Sequence, residues 1–271
     1  DRYKSFIDYS KFTKKETRNI KSGDRIYLPK IIQPLNNQHC KFTRQDGFIL
    51  GWNLGDGWKT WHSRHNAWQC GFICSPEDKR YGIDTKIDNY INHLTKRQTN
   101  FRENKGCYEL ITTDQNVITT MESMQWCHKS CGIPKSVWSG NADFVCGFID
   151  GLFSSDGCIS RYKDKNDVFR YELTLSSAHE PLIKDVYKLL TFYGIRSTIK
   201  YRSVKASFPN PKYNSDKLYD CWTLKICGSE IEHFSKCFTF THRRKQQKLE
   251  ECVEYLISKK YKSRHQSLLV K

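Results

Sequence analysis

The sequence predicts an α+β protein built twice from one unit, each half reading α-β-β-α-β-β-α in outline. Three observations predict it. A nine-residue pattern occurs as Ile49-Leu50-Gly51-Trp52-Asn53-Leu54-Gly55-Asp56-Gly57 and, a hundred positions later, as Ile149-Asp150-Gly151-Leu152-Phe153-Ser154-Ser155-Asp156-Gly157. Behind each copy, strand and helix patterns return in the same order. The 271 residues suffice for two small domains or one large one with a sizeable core. A pattern repeated in equivalent places asks for one explanation that covers both copies.

The chain opens with a basic lead-in, residues 1–45, followed by halves expected at 46–138 and 139–271. In the first half, each residue type points to its element. The small residues at third and seventh place recur one turn apart, as on a helix face that another helix approaches closely. The closing Gly57 suits the left-handed position that ends a helix. An aromatic-basic strand follows through Trp58, Lys59, Trp61, His62, Arg64 and His65. Trp68 to Cys74 then alternates as a half-buried strand does. Asp84 to Leu94 has the period of an amphipathic helix. Cys107 to Thr112 reads as a strand, and Val117 to Met124 as a helix. The second half repeats the order: strands at Ile159–Tyr162 and Arg170–Ser176, then a helix at Pro181–Leu190 closed by Gly194. Strands at Ser197–Tyr201 and Cys221–Ile226 follow, with a helix around Ile231–Phe234.

The two patterns carry chemistry. Each ends in an Asp at the last turn of a helix, beside unpaired carbonyls. If the helices pair, Asp56 and Asp156 meet at the negative ends of two helix dipoles. Like charges there repel and raise a pKa. A divalent cation removes the conflict, and oxygen-rich, partly hydrated coordination suits Mg²⁺, with Mn²⁺ as the alternative. The pair then reads as a metal site for phosphoryl chemistry. The plainer reading is two amphipathic helices with Asp-Gly turns.

Composition points the same way. Lys and Arg number 45 against 29 Asp and Glu, a net charge of +16, which suggests a polyanionic partner. A basic soluble protein or an anionic membrane surface would account for the charge but not for the paired acids. No run approaches the ~18 apolar residues of a membrane span, and no signal peptide is evident. The twelve cysteines are scattered and several lie in apolar runs, so a reducing, intracellular setting is expected rather than a disulfide scaffold. That setting is nuclear if the host is eukaryotic and otherwise cytoplasmic. Cys70-x3-Cys74 and Cys127-His128-x2-Cys131 are loose zinc half-sites that lack a following Cys/His pair.

On the motifs Ile49–Gly57 and Gly147–Gly157 the chain resembles the LAGLIDADG homing endonucleases, in their single-chain, two-motif form. The second copy is close to the family consensus, and the first diverges at Trp52, Asn53 and Leu54. The resemblance implies paired helices at a pseudo-twofold interface and two sheets forming a β-saddle over double-stranded DNA. It implies a site-specific DNA endonuclease, acting as a monomer, with Asp56 and Asp156 as catalytic metal ligands. The family also carries a Lys two residues before an Ile-Pro pair. Here Cys131 stands at that position before Ile133-Pro134, and Lys129 comes two residues earlier. The basic run Thr241–Leu249 resembles the family's second cluster, with His242, Arg243 and Lys245 as candidates. Lys129 and Lys245 are the expected basic helpers, and phosphate contact is the alternative role of His242, Arg243 and Lys245. Thr17–Pro29 resembles the stretch of inteins that precedes an inserted endonuclease. Asp1 and the Ser267–Lys271 end lack splicing residues, so splicing by this chain is not expected. A saddle would present Lys59, His62, Arg64 and Asn66 to DNA in the first half. In the second it would present Arg161, Lys163, Lys165, Arg170, Arg196, Lys200, Arg202 and Lys205. A DNA-binding regulator without cleavage and an RNA maturase remain the rival functions.

Overall fold

The computed structural model describes residues 39–205 and 217–269. The intein-like run at 17–29, with most of the expected lead-in, lies outside the described residues, as does the chain's final pair.

Two helices form the centre. Helix α1 (Arg44–Asp56) starts at a Thr43 cap whose hydroxyl accepts from the Asp46 N–H, while the Asp46 carboxylate accepts from Thr43. Helix α6 (Ala142–Asp156) is capped by Asn141. The amide of Asn141 also donates to the carbonyls of Cys40 and Phe42, at 3.1 and 3.0 Å, tying the entry of α1 to the start of α6. Both helices are buried almost all round, so neither shows a simple amphipathic stripe.

They meet as the repeated small residues require, and the stripe is three turns long. A Cβ on Gly51 would fall onto the Phe148 carbonyl and 2.8 Å from the Leu152 nitrogen. One on Gly151 would fall onto the Phe48 carbonyl and 2.7 Å from the Trp52 nitrogen. Gly47 and Gly147 repeat this one turn earlier, and Gly55 faces Ser155 one turn later.

Each half adds one four-stranded antiparallel sheet. The first contains β1 (Gly57–His62), β2 (Ala67–Cys74), β3 (Arg102–Asn104) and β4 (Cys107–Thr112), in the order β1-β2-β4-β3. The second contains β5 (Gly157–Lys163), β6 (Phe169–Ser177), β7 (Thr198–Lys205) and β8 (Leu218–Cys227), in the order β5-β6-β8-β7. The connectivity is the same in both. In the first half, α2 (Pro76–Arg80), α3 (Ile83–Thr95), α4 (Gln115–Ser123) and α5 (Lys135–Trp138) complete the unit. In the second, α7 (Glu180–Phe192), α8 (Ser229–Cys237) and α9 (Arg243–Leu269) do so. One face of each sheet buries its alternate residues, Cys70, Phe72 and Leu110 in one and Leu173, Leu175, Leu224 and Ile226 in the other. The opposite face is open.

The α+β class, the doubled unit and the helix pairing stand as expected, and one local expectation does not. Gly57 and Gly157 are not left-handed caps. Their φ angles are −149° and −76°, in extended backbone, and each is the first residue of a strand. Glycine is needed there because the strand leaves close against its own helix. A Cβ on Gly57 would sit 2.7 Å from the Asn53 Cα, and one on Gly157 would sit 2.9 Å from the Phe153 Cα. Gly194, by contrast, has the expected positive φ of 70° after α7. The short α2, β3 and α5 were not expected. The basic cluster expected before the last helix forms its first turn instead.

Candidate active site

Because α1 and α6 run straight into strands, the carbonyls of their last turns get little from the backbone; in α6 the Gly157 N–H reaches only the Phe153 carbonyl. Two lysines take them. Lys129 Nζ donates to the Gly55 carbonyl at 2.6 Å and to Asp156 Oδ2 at 3.0 Å. Lys245 Nζ donates to the carbonyls of Phe153, Ser154 and Ser155 at 3.2, 2.6 and 2.8 Å. Cations at helix C-termini also meet the negative ends of the dipoles.

The two acids close the same junction. A Cβ on Gly55, the residue before Asp56, would lie 3.6 Å from the Asp156 carboxyl carbon. The Asp56 carboxyl is pushed up to about 7, first by burial, then by the like charges of Asp156 and Asp78. Lys129 and Lys245 pull it the other way and do not win. Burial holds the Lys245 ammonium below its ordinary range, opposed by the charges of Asp78, Asp56 and Asp156. The four expected site residues Asp56, Asp156, Lys129 and Lys245 are therefore together. Cys131 is exposed, whereas Lys129 points inward. A one-turn 3₁₀ helix at Lys129–Cys131, followed by Gly132 at φ 90°, sets that register.

The donor set fits a divalent cation that keeps part of its hydration. It has two carboxylates, one of them buried and pushed up to about 7 by its surroundings and its acidic neighbours. Among the described residues no three His, Cys, Asp or Glu side chains gather as a metal site, so the zinc half-sites do not assemble. All twelve cysteines are free thiols.

Each lysine rides on a segment moored to its own signature helix. Asn53 of α1 accepts the Trp126 indole N–H at 2.6 Å and donates to the Gly71 carbonyl at 2.7 Å. In α6, Asp150 accepts from the N–H and hydroxyl of Thr241 at 2.6 and 2.7 Å. In the sequence Asn53 stands out only as a divergence from the repeat, and Asp150 carries no assigned role. The signal was an amide and a carboxylate inside apolar helices, since such groups need partners.

The expected nucleic-acid set divides by strand register. His62, Lys200 and Arg202 lie on the open faces, and Arg64 and Asn66 stand exposed at the tip between β1 and β2. Asn66 is left-handed at φ 46° and shapes that turn. Arg170 is on the open face, with its Nε 2.9 Å from Asp164 Oδ2. Three residues take the other register of their strands. Lys59 faces the helices with its side chain 8% exposed, paired to Glu122 at 2.8 Å and stacked over Trp68. Arg161 and Lys163 share the register of the buried Ile159, and both lie over the Phe169 ring. Arg196 is held by Glu230, and Lys165 is exposed in the β5–β6 turn.

Residues 143–234, which run from α6 into α8, match the family model described as a LAGLIDADG-like domain. Among solved structures, the chain is similar to the homing endonuclease I-DmoI in complex with DNA and Ca. That likeness has 17% identity and a TM-score of 0.48, over 72% of this chain and 88% of the other. It is also similar to the homing endonuclease I-WcaI bound to its DNA recognition sequence, with 14% identity and a TM-score of 0.46, over 75% and 84%. A third is the I-LtrWI LAGLIDADG homing endonuclease bound to target DNA, with 9% identity and a TM-score of 0.43, over 71% and 80%.

Proposed function

We propose that this chain is a site-specific, divalent-metal-dependent DNA endonuclease that cuts both strands of a duplex. One observation carries the reading: two helix ends deliver two acids and two lysines to one junction, where burial and the charges of Asp156 and Asp78 push the Asp56 carboxyl up to about 7, a strain that a bound cation would relieve. Each half, residues 46–138 and 139–271, supplies one acid and one lysine. A single chain therefore holds both copies of the site and acts as a monomer.

Asp56 and Asp156 would hold Mg²⁺ or Mn²⁺. When bound, such an ion lowers the charge on a phosphodiester and promotes the attack of water. The protein's own groups do the rest. Lys129 and Lys245 stand ready beside the acids, where extra negative charge on a phosphate in transit would meet a fixed ammonium. The open sheet faces, with Lys200, Arg202, Arg170 and His62, would lie along the duplex and fix its register. The match of residues 143–234 to the LAGLIDADG-like domain supports this reading.

The test is a cleavage selection from a library of randomised duplexes with Mg²⁺, against the same library in chelator. Recovery of one family of cut sites, lost in chelator and in Asp56→Asn and Asp156→Asn, is the expected result. Tight duplex binding without cutting would make the chain a DNA-binding regulator. Preference for folded RNA would make it a maturase.

A further inference from the structure

The lysine of the second half is seated by groups that come from the first. We propose that Asp78 of α2 and His242, the residue before α9, form a latch across the two halves that positions Lys245 under the last turn of α6. The latch rests on the proposed nuclease reading, because it assigns both residues a role in that reaction.

Three observations carry it. Asp78 is fixed before it meets His242: its Oδ2 accepts from the Ser75 N–H and hydroxyl at 2.7 and 2.6 Å, as the capping box of α2. Asp78 Oδ1 stands 3.3 Å from His242 Nε2. The imidazole itself is 1% exposed and packs on the Tyr81 ring with centroids 5.0 Å apart. Its other nitrogen, Nδ1, is buried with no hydrogen-bond partner among the described residues. A phenyl ring would fill that space without stranding a polar atom. Packing alone therefore does not account for a histidine there, and its contact with Asp78 does.

The rest of the strap, residues 238–242 between α8 and α9, is pinned on both sides. Lys86 of α3 donates to the Thr241 hydroxyl at 2.7 Å, and Arg44 of α1 donates to the Thr239 hydroxyl at 2.8 Å. Arg244 pairs with Glu77, the neighbour of Asp78. On the α6 side, Asp150 takes Thr241 and the Ser154 hydroxyl accepts the His242 N–H at 3.4 Å. The strap thus fixes where α9 begins, and Lys245 is in the first turn of α9. Asp78 is also the largest of the opposing charges at Lys245, ahead of both site acids.

The experiment uses the full chain and a cleavable duplex from the selection above. Asp78→Asn keeps the shape and the cap, and His242→Phe keeps the packing. Each should slow cleavage on the order of 10- to 100-fold, as a small misplacement of a working group does. The loss should fall on kcat with KM for DNA unchanged, and nicked duplex should accumulate because one half is impaired. In a Lys245→Met background neither change should cost anything further, since groups that act through one residue are not additive. Full additivity with Lys245→Met, or equal slowing of both strands, overturns the latch. Hydrogen exchange at the amides of residues 243–249 separates the two ideas. If the wild-type chain cuts nothing, the nuclease reading fails. Faster exchange there in Asp78→Asn would still support the latch, and unchanged exchange would overturn it.

Discussion

The ends of α1 and α6 do the same job with different chemistry. Each helix must offer its last carbonyls to a lysine, hold an acid beside them, and moor the segment that brings that lysine in. Helix α1 moors with a neutral amide, Asn53, gripping the Trp126 indole. Helix α6 moors with a buried carboxylate, Asp150, which burial pushes above the usual range although the Thr241 bonds and the charge of Lys86 resist it. The acids differ as well. Asp156 has a cation in direct contact, whereas Asp56 is the one pushed up to about 7. A duplicated frame therefore constrains the backbone positions tightly and leaves each half free to find its own polar solution. Where the halves are symmetric, backbone meets backbone; where they diverge, side chains do the work.

The symmetric part should break symmetrically and hardest. At Gly51 and Gly151 the obstacle to any larger residue is the partner's main chain, which cannot swing aside. Gly51→Leu and Gly151→Leu should each cost at least about 3 kcal/mol, the upper end for overpacking. Each should also abolish cleavage, because the two acids move apart. Thermal unfolding and cleavage rate, measured on both variants, check it. One variant that behaves as wild type would mean that the helix contact is not the shared frame.

The asymmetry of the acids gives the next effect, read without DNA. Asp56 has its folded-state pKa raised from 3.8 to about 7, so between those values the folded chain holds a proton that the unfolded chain has lost. Stability from this group is therefore greatest at low pH and falls as pH rises through that window. In chelator, Asp56→Asn should be more stable than wild type at pH ~8, by an amount on the order of a few kcal/mol, and nearly equal to it at pH ~4. Asp156→Asn should change much less, because loss of the Lys129 pair offsets relief of the repulsion on Asp56. Adding Mg²⁺ or Mn²⁺ should stabilise the wild type at pH ~8 and Asp56→Asn hardly at all. Unfolding midpoints in chelator and in metal decide it. Equal behaviour of the two Asn variants would erase the difference between the ends.

What could be read in advance follows the same division. The paired helices were legible because Gly51, Gly55, Gly151 and Ser155 recur at a spacing that only close packing rewards. The acids came with them. The glycines after the acids were misread because Asp-Gly also ends helices in turns, and nothing local tells a turn from a strand that departs at once. Helices as short as α2 and α5 carry too few residues for a period to show. The latch was out of reach, since Asp78 and His242 belong to different halves and, although His242 stands in the basic run, Asp78 sits in no motif. The side of the sheet that Lys59 faces was hidden for another reason. In Trp58-Lys59-Thr60-Trp61-His62 large and polar residues do not alternate, so only pairing with Cys70 and Phe72 reveals the face.

The two sheets differ in the charge of their open faces, and this difference carries the smallest effect. The open face of the first sheet carries Trp58, Thr60, His62, Gln69, Glu109 and Asn104, with Arg102 at its edge. The open face of the second carries Arg170, Lys200, Arg202 and Lys225, with Glu172 paired to Lys225. Salt-dependent affinity should therefore come mainly from the second half, while the first contributes hydrogen-bonding groups to base edges. Lys200→Ala and Arg202→Ala should each weaken duplex binding and lower the slope of log affinity against log salt by about 0.9, one phosphate contact apiece. Lys59→Ala should leave that slope unchanged, because its charge is already committed to Glu122 behind the sheet. Any loss it causes should appear as lower stability, from the Trp68 and Trp126 rings it now lies against. Affinities for one duplex at several salt concentrations, for the three variants and the wild type, make the comparison. A slope that falls for Lys59→Ala as far as for Lys200→Ala would mean that Lys59 leaves Glu122 to reach DNA, and that the two sheets share the charge after all.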